Sequence, residues 1–409
     1  MRNPCAVARV RSVIGDDGRV RAVRVSAGLL ATAILCLAAP APAKVPVLAA
    51  RKHPGIYAMN RAGEFHRLTA GYNSPVWSPG GGRIAVLRGN RIHLLTRAGR
   101  HLRDLGRAGE VVTSMVWSPD GRWIAYGLYR SIRNVAAEQL RTVGTSRGGH
   151  RLIARKVLGY DWTPSGRLGF VTIRGHRGRL ATADATGDDR RRVLYDAIRL
   201  LDWSRDGRVA LYERGRTPPK LESKKRELWA VDPAGDSPRR VASRVFSYGG
   251  YHEDTRGALS PDGRRALFTR ASKHADFEDL WIGRTDGSGA RRLIAGQFQP
   301  DYGWAPGGRG AYLLGASPGG SFDSDSHLYL FPRGRRRHDL GRLASGPFAW
   351  SPDGGVIAWV DNAARFGTIR ADMTHRTVAR FADDTEVHDM TWSPDGSVVL
   401  FEPDQQFPD

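Results

Sequence analysis

The residues Trp117-Ser118-Pro119-Asp120-Gly121, followed by Arg122-Trp123-Ile124-Ala125-Tyr126, read as a strand, a tight turn and a second strand, and they recur along the chain. Versions begin at Trp77, Trp117, Trp162, Trp203, Leu259, Trp304, Trp350 and Trp392, with successive starts 40 to 56 residues apart. An internal period of that length is the signature of a repeat array, in which each unit buries its apolar face against its neighbours.

A second hairpin separates successive copies. It opens the array as Ile56-Tyr57-Ala58-Met59-Asn60, a turn at Arg61-Ala62-Gly63, and Phe65-His66-Arg67-Leu68. Alternating apolar residues around a Gly-containing turn predict paired strands. In the Trp motif, Pro presets the first turn position and Asp suits the next. The closing glycine, as at Gly121, Gly263, Gly354 and Gly396, takes the left-handed conformation. Trp adds a large plate that can pack between neighbouring sheets, with an indole N–H that needs a partner. Four strands per unit and eight units predict an all-β chain, a β-propeller of eight four-stranded blades, or seven if the Leu259 unit fails to form a sheet. The array opens with the second hairpin of a unit and closes with the first, 391–401, so these halves are expected to pair and close the ring.

The N-terminus has another character. Residues 2–24 hold six Arg against Asp16 and Asp17, residues 27–39 are apolar except for Thr32, and Pro40-Ala41-Pro42-Ala43 follows. This is the pattern of a secretory signal peptide cleaved after Ala43. Thirteen helical residues span about 20 Å, short of a membrane core. The expected domains are therefore a signal peptide (1–43), a linker (44–55), the propeller (56–403) and a tail (404–409), with no transmembrane span after cleavage and a secreted or periplasmic location. Both cysteines, Cys5 and Cys36, lie in the leader, so cysteine catalysis and a disulfide framework are not expected in the mature chain.

The repeats resemble those of the TolB-like β-propeller family, also called PD40 or WD40-like repeats. The resemblance is carried by Trp117 to Tyr126 and by residues 56–69, and the pattern covers about 56–402. It implies the propeller fold and leaves the activity open, since such propellers also serve as substrate-gating domains of prolyl-oligopeptidase-like enzymes. The family's namesake has an additional N-terminal domain, for which the dozen residues after Ala43 leave no room, so a Tol–Pal role is not expected.

The formal charge of +22 implies attraction to anionic surfaces. The arginines are spread through every unit, however, and no specific nucleic-acid site is expected. In a four-stranded blade both hairpin turns lie at one end and the remaining connections at the other. Residues 129–138, 213–226, 269–279, 315–326 and 243–257 insert at that second end, where binding residues are expected. Acid–histidine groups occur there: His252, Glu253 and Asp254; His274 with Asp276; Asp323, Asp325 and His327; and His388 in the final connection. Solvated loops are the first reading. A ligand or divalent-metal site is the alternative, since His with carboxylates suits Zn, Mn or Fe. No Gly-x-Ser-x-Gly elbow or phosphate-binding glycine loop is present. The chain is accordingly read as a monomeric, non-enzymatic scaffold that binds a protein or a cell-envelope polymer. The alternatives are a metal-dependent lyase or hydrolase at the central funnel, and an electrostatic binder of anionic surfaces.

Overall fold

The computed structural model describes residues 47–48, 55–61, 63–132, 135–174, 177–215, 226–245, 259–272, 278–306, 310–316, 326–332, 337–342, 348–360, 365–370, 375–381 and 385–405. Contacts divide the chain into Met1–Lys44 and Val45–Asp409. The leader and the tail beyond Gln405 lie outside the described residues. Among the described residues there is no α-helix, and no helix is long and apolar enough to cross a membrane.

Each Trp-type hairpin and the hairpin after it form one antiparallel four-stranded unit. The Trp77 unit is the plainest, pairing Asn73–Trp77, Arg83–Arg88, Arg91–Thr96 and His101–Arg107 in order. Elsewhere units merge into larger sheets. Gly148–Trp162 is the last strand of the Trp117 unit and then the first strand of the Trp162 unit. Arg291–Ala305 joins the Leu259 and Trp304 units in the same way. The Leu259 unit has the weakest first strand, a single bridge from Leu259 to Ala266. At the two ends of the array, Gly55–Asn60 pairs with Val398–Gln405, with Tyr57 opposite Phe401 and Asn60 opposite Val398. One piece of the expected linker is a strand, Val47–Leu48, which runs parallel to His375–Phe381.

The apolar core lies between units. Tyr57, Met59, Phe401 and Trp392 pack with Ala358, Val360 and Phe366 of the Trp350 unit. Ala85, Leu87 and Ile92 pack with Trp117, Tyr126 and Val143 of the next unit. The Trp plates sit in these seams, and three of them span the seam with a hydrogen bond. The indole Nε1 donates to the carbonyl one residue before the preceding unit's Trp: Trp117 to Val76 (3.1 Å), Trp162 to Val116 (3.1 Å) and Trp392 to Ala349 (2.9 Å). The same nitrogen of Trp77, Trp203 and Trp350 is buried without a protein partner.

The turns use their own polar residues. Ser118 Oγ donates to Asp120 Oδ1 at 2.6 Å and accepts from Trp123 N at 2.9 Å, while Arg122 N donates to Asp120 at 3.0 Å. Gly121 closes the turn with φ of 66°, and Gly263, Gly354 and Gly396 have φ of 65 to 66°. The same Ser–Asp bond recurs in the turns begun by Ser204, Ser260, Ser351 and Ser393. These residues form turns and are not free for chemistry.

Part of the arginine excess is also structural. Arg97 lies 5.5 Å from the Trp77 ring centre and pairs with Asp395 of the preceding unit at 2.9 Å. Arg61 repeats this over Trp392 (6.0 Å) with Asp353 (2.8 Å). Arg83 covers Trp117 of the next unit at 5.3 Å and donates to Gly121 O at 2.9 Å. The arginine and turn hydroxyl hold the Asp395 carboxyl well below its usual range, and the turn hydroxyl, turn N–H and Arg61 do the same for Asp353.

Candidate functional site

In this alternation of strands the Trp turns and second-hairpin turns share one end of each unit, and the expected insertions leave from the other. The strands intrude further into those insertions than the sequence implies. Trp123–Ile132 and Val135–Gly144 pair continuously from Gly144 opposite Trp123 to Val135 opposite Ile132, so most of 129–138 is ladder and not loop. Arg265–Ala271 and Glu278–Arg284 likewise pair out to Ala271 opposite Glu278.

His252, Glu253, Asp254, His274, Asp276, Asp323 and Asp325 lie outside the described residues. His327 is described, and its Nδ1 lies 3.0 Å from a carboxylate oxygen of Asp339 on the adjacent strand. Its ring stacks on Tyr329 at 5.9 Å, and Arg337 covers the ring of Tyr329 at 4.7 Å. His388 is not in an interblade connection. It falls within the strand Thr385–Trp392, at a bulge between Val387 opposite Pro403 and Asp389 opposite Glu402. Among the described residues no group of three His, Cys, Asp or Glu could hold a metal ion.

The insertion end instead holds a row of sequestered polar groups that sequence reasoning passed over. Glu138, Arg226, Glu278 and Ser326 each precede by two residues the first buried leucine of the third strand: Leu140, Leu228, Leu280 and Leu328. Thr113 Oγ1 donates to Glu138 Oε1 at 2.5 Å. Arg226 Nη1 meets Glu213 Oε2 at 3.0 Å, and the two residues are 8% and 2% exposed. That pair fixes both ends of the connection between Ala210–Arg214 and Arg226–Val231. Glu278 is buried, and loss of water pushes its carboxyl up to about 7 despite a hydrogen bond with Thr269. Next to it, Asp279 accepts from Gly296 N at 2.9 Å and pairs with Arg292 at 3.1 Å. Glu402, in the second strand of the last unit, accepts from Ser74 N of the Trp77 unit at 2.9 Å.

Buried ionised groups at strand ends are costly unless paired: Glu213 and Asp279 have arginine partners, whereas Glu278 among the described residues has only Thr269 and keeps its proton instead. The arrangement positions loops, and Glu278 can exchange a proton near neutral pH. The available sequence signal was the fixed two-residue offset from Leu140, Leu228 and Leu280. It reads as ordinary surface charge until the pairing register is known.

No family model matches the chain. The Tol-Pal system protein TolB of Anaeromyxobacter dehalogenans is 30% identical over 205 residues, covering 47% of this chain and 43% of that protein. Among solved structures, a eukaryotic initiation factor is 12% identical with a TM-score of 0.53, over 84% of this chain and 88% of its own. The hydrazine synthase of Kuenenia stuttgartiensis is 16% identical with a TM-score of 0.50, over 74% and 96%. These two likenesses are of fold alone. The chain matches less than half the length of its curated relatives, and over that span its repeats are TolB-like β-propeller repeats.

Proposed function

We propose that the chain is exported and works as a non-enzymatic, eight-bladed propeller that binds a protein or a cell-envelope polymer through its insertion face. The observation that carries this reading is the row of paired polar groups under that face. Glu213–Arg226, Glu138–Thr113 and Asp279–Arg292 hold the roots of the insertions on a rigid scaffold, which is how binding loops are commonly presented. Eight repeat units, with strands of the first and last halves paired in one sheet, support the eight-blade reading. Export follows from the leader, and the mature N-terminus is expected at Lys44.

The curated relatives' assignment to a Tol-Pal system is not carried over to this chain, because less than half of their length is matched. The test replaces residues 216–225 with a short Gly-Asn turn and compares capture of envelope fractions by the intact and shortened proteins. Loss of capture at unchanged melting temperature supports the reading; equal capture contradicts it. Metal analysis after dialysis is the second arm. Stoichiometric Mn, Zn or Fe that disappears in His327→Ala would replace the scaffold reading with a metal-centred one.

A further inference from the structure

The turn end of the Leu259 unit departs from its neighbours. A groove of about 280 Å³ is lined by Arg265, Ile282, Gly283, Arg284, Gly289 and Arg291. A second, of about 190 Å³, shares the walls Arg265 and Arg284 and adds Arg264 and Asp262. Four arginines thus border two neighbouring grooves, three of them the larger one, and all four are exposed.

The two carboxylates nearby are committed. Asp262 accepts from Ser260 Oγ at 2.5 Å and from Arg264 N at 3.1 Å within its own turn. Asp286 accepts from Ser288 Oγ at 2.6 Å and from Arg284 Nε at 3.1 Å. Arg264, Arg265 and Arg291 pair with no carboxylate among the described residues. This contrasts with Arg61, Arg83 and Arg97 at the same end of other units. Each of those lies over a Trp ring and donates to a carboxylate or carbonyl of an adjoining unit. Leu259 stands where a Trp ring would be, and among the described residues no aromatic ring is stacked by Arg264, Arg265, Arg284 or Arg291. Among the described residues, Arg264, Arg265 and Arg291 of this unit are therefore left without a carboxylate or ring partner, beside a groove large enough for a small ligand group.

We propose that this groove is an oxyanion site, taking a compact, multiply charged group of the phosphate type between Arg265, Arg284 and Arg291. Planar guanidinium forks suit such oxygens because each can donate two parallel hydrogen bonds. Desolvation is modest in an open groove, so the attraction is screened by salt. The site lies at the opposite end from the insertions and is independent of the binding reading given above.

The experiment is calorimetric titration of the full chain with inorganic pyrophosphate. It compares wild type, the double variant Arg265→Gln/Arg291→Gln, and Arg122→Gln. Arg122 holds the turn position of Arg264 in the Trp117 unit and is 82% exposed beside its own Asp120, so it reports general basicity. The expected result is one bound pyrophosphate per chain, about tenfold or more weaker in the double variant and unchanged in Arg122→Gln. Equal affinity in all three proteins would overturn the site, as would equal weakening by Arg122→Gln. Because the altered side chains are exposed, an unchanged near-ultraviolet spectrum separates loss of the site from loss of the fold. Flotation with phosphatidic acid vesicles then distinguishes the sources. Arginine-dependent flotation assigns the group to a lipid headgroup, and pyrophosphate binding without flotation assigns it to a soluble ligand.

Discussion

Glu278 is the residue whose charge is least comfortable where the chain puts it. The folded protein keeps its proton to about pH 7, whereas an unfolded chain releases it near 4.5. Between those values the folded state holds more protons, so stability falls as pH rises through the window, and the cost is complete above it. Glu278→Gln, neutral throughout, should match wild type at pH 4 and exceed it at pH 8 by on the order of 3 kcal/mol. Urea denaturation at the two pH values measures this, and a constant offset would contradict it. Glu213 and Arg226 make the complementary case, a buried pair with both charges present. Glu213→Ala should cost about 3–5 kcal/mol because it strands the guanidinium, and Glu213→Leu/Arg226→Leu should cost much less. A double-mutant cycle that finds the two changes additive would rule out the pair as a unit.

At the scale of the element, the Trp turn is a ruler and a staple. Trp117 fills the seam between the Trp77 and Trp117 units and donates to Val76 O. Trp117→Ala should therefore cost about 3–5 kcal/mol by opening a cavity. Trp117→Phe keeps much of the plate and loses the hydrogen bond, for about 1 kcal/mol plus the smaller volume. Equilibrium unfolding of the two variants checks the order.

These elements were largely legible in the sequence, because Pro-Asp-Gly chemistry and apolar alternation are local. What was not legible depended on pairing partners. The continuous run Gly148–Trp162 looks like two strands and a connection, since nothing local marks where it leaves one neighbour for the next. Residues 129–138 look like an insertion, yet strand partners on either side keep the ladder going. His388 reads as part of a connection, yet it lies in a strand because Val398–Gln405 extends the pairing past Pro403. Glu138, Arg226 and Glu278 carry charges that suggest solvent, and only the strands packed around them exclude it.

Across the whole molecule, most of the arginine excess belongs to no single surface. Some of it joins units, through Arg61 to Asp353 and Arg97 to Asp395, and some lines the groove of the Leu259 unit, where Arg264, Arg265 and Arg291 have no carboxylate partner among the described residues. A repeat array without closure would leave apolar seams open at both ends, and the proposed closure rests on the pairing of Gly55–Asn60 with Val398–Gln405. The seam is apolar, with Tyr57 stacked on Phe401 at 5.8 Å and Phe366 against Phe401 at 4.8 Å. The scaffold reading requires this closure, because loops on an open array would not be held in fixed relation. The direct measurement is a cysteine pair at Asn60→Cys and Val398→Cys, register partners in the closing sheet, placed in a chain whose own cysteines, Cys5 and Cys36, precede Ala43. Antiparallel partners bring Cα atoms to about 4.5–5.5 Å, within reach of a disulfide. Closure predicts near-complete intramolecular crosslinking on mild oxidation, seen as a mobility shift lost on reduction, with the melting temperature maintained or raised; two free thiols in the folded, oxidised protein would contradict it.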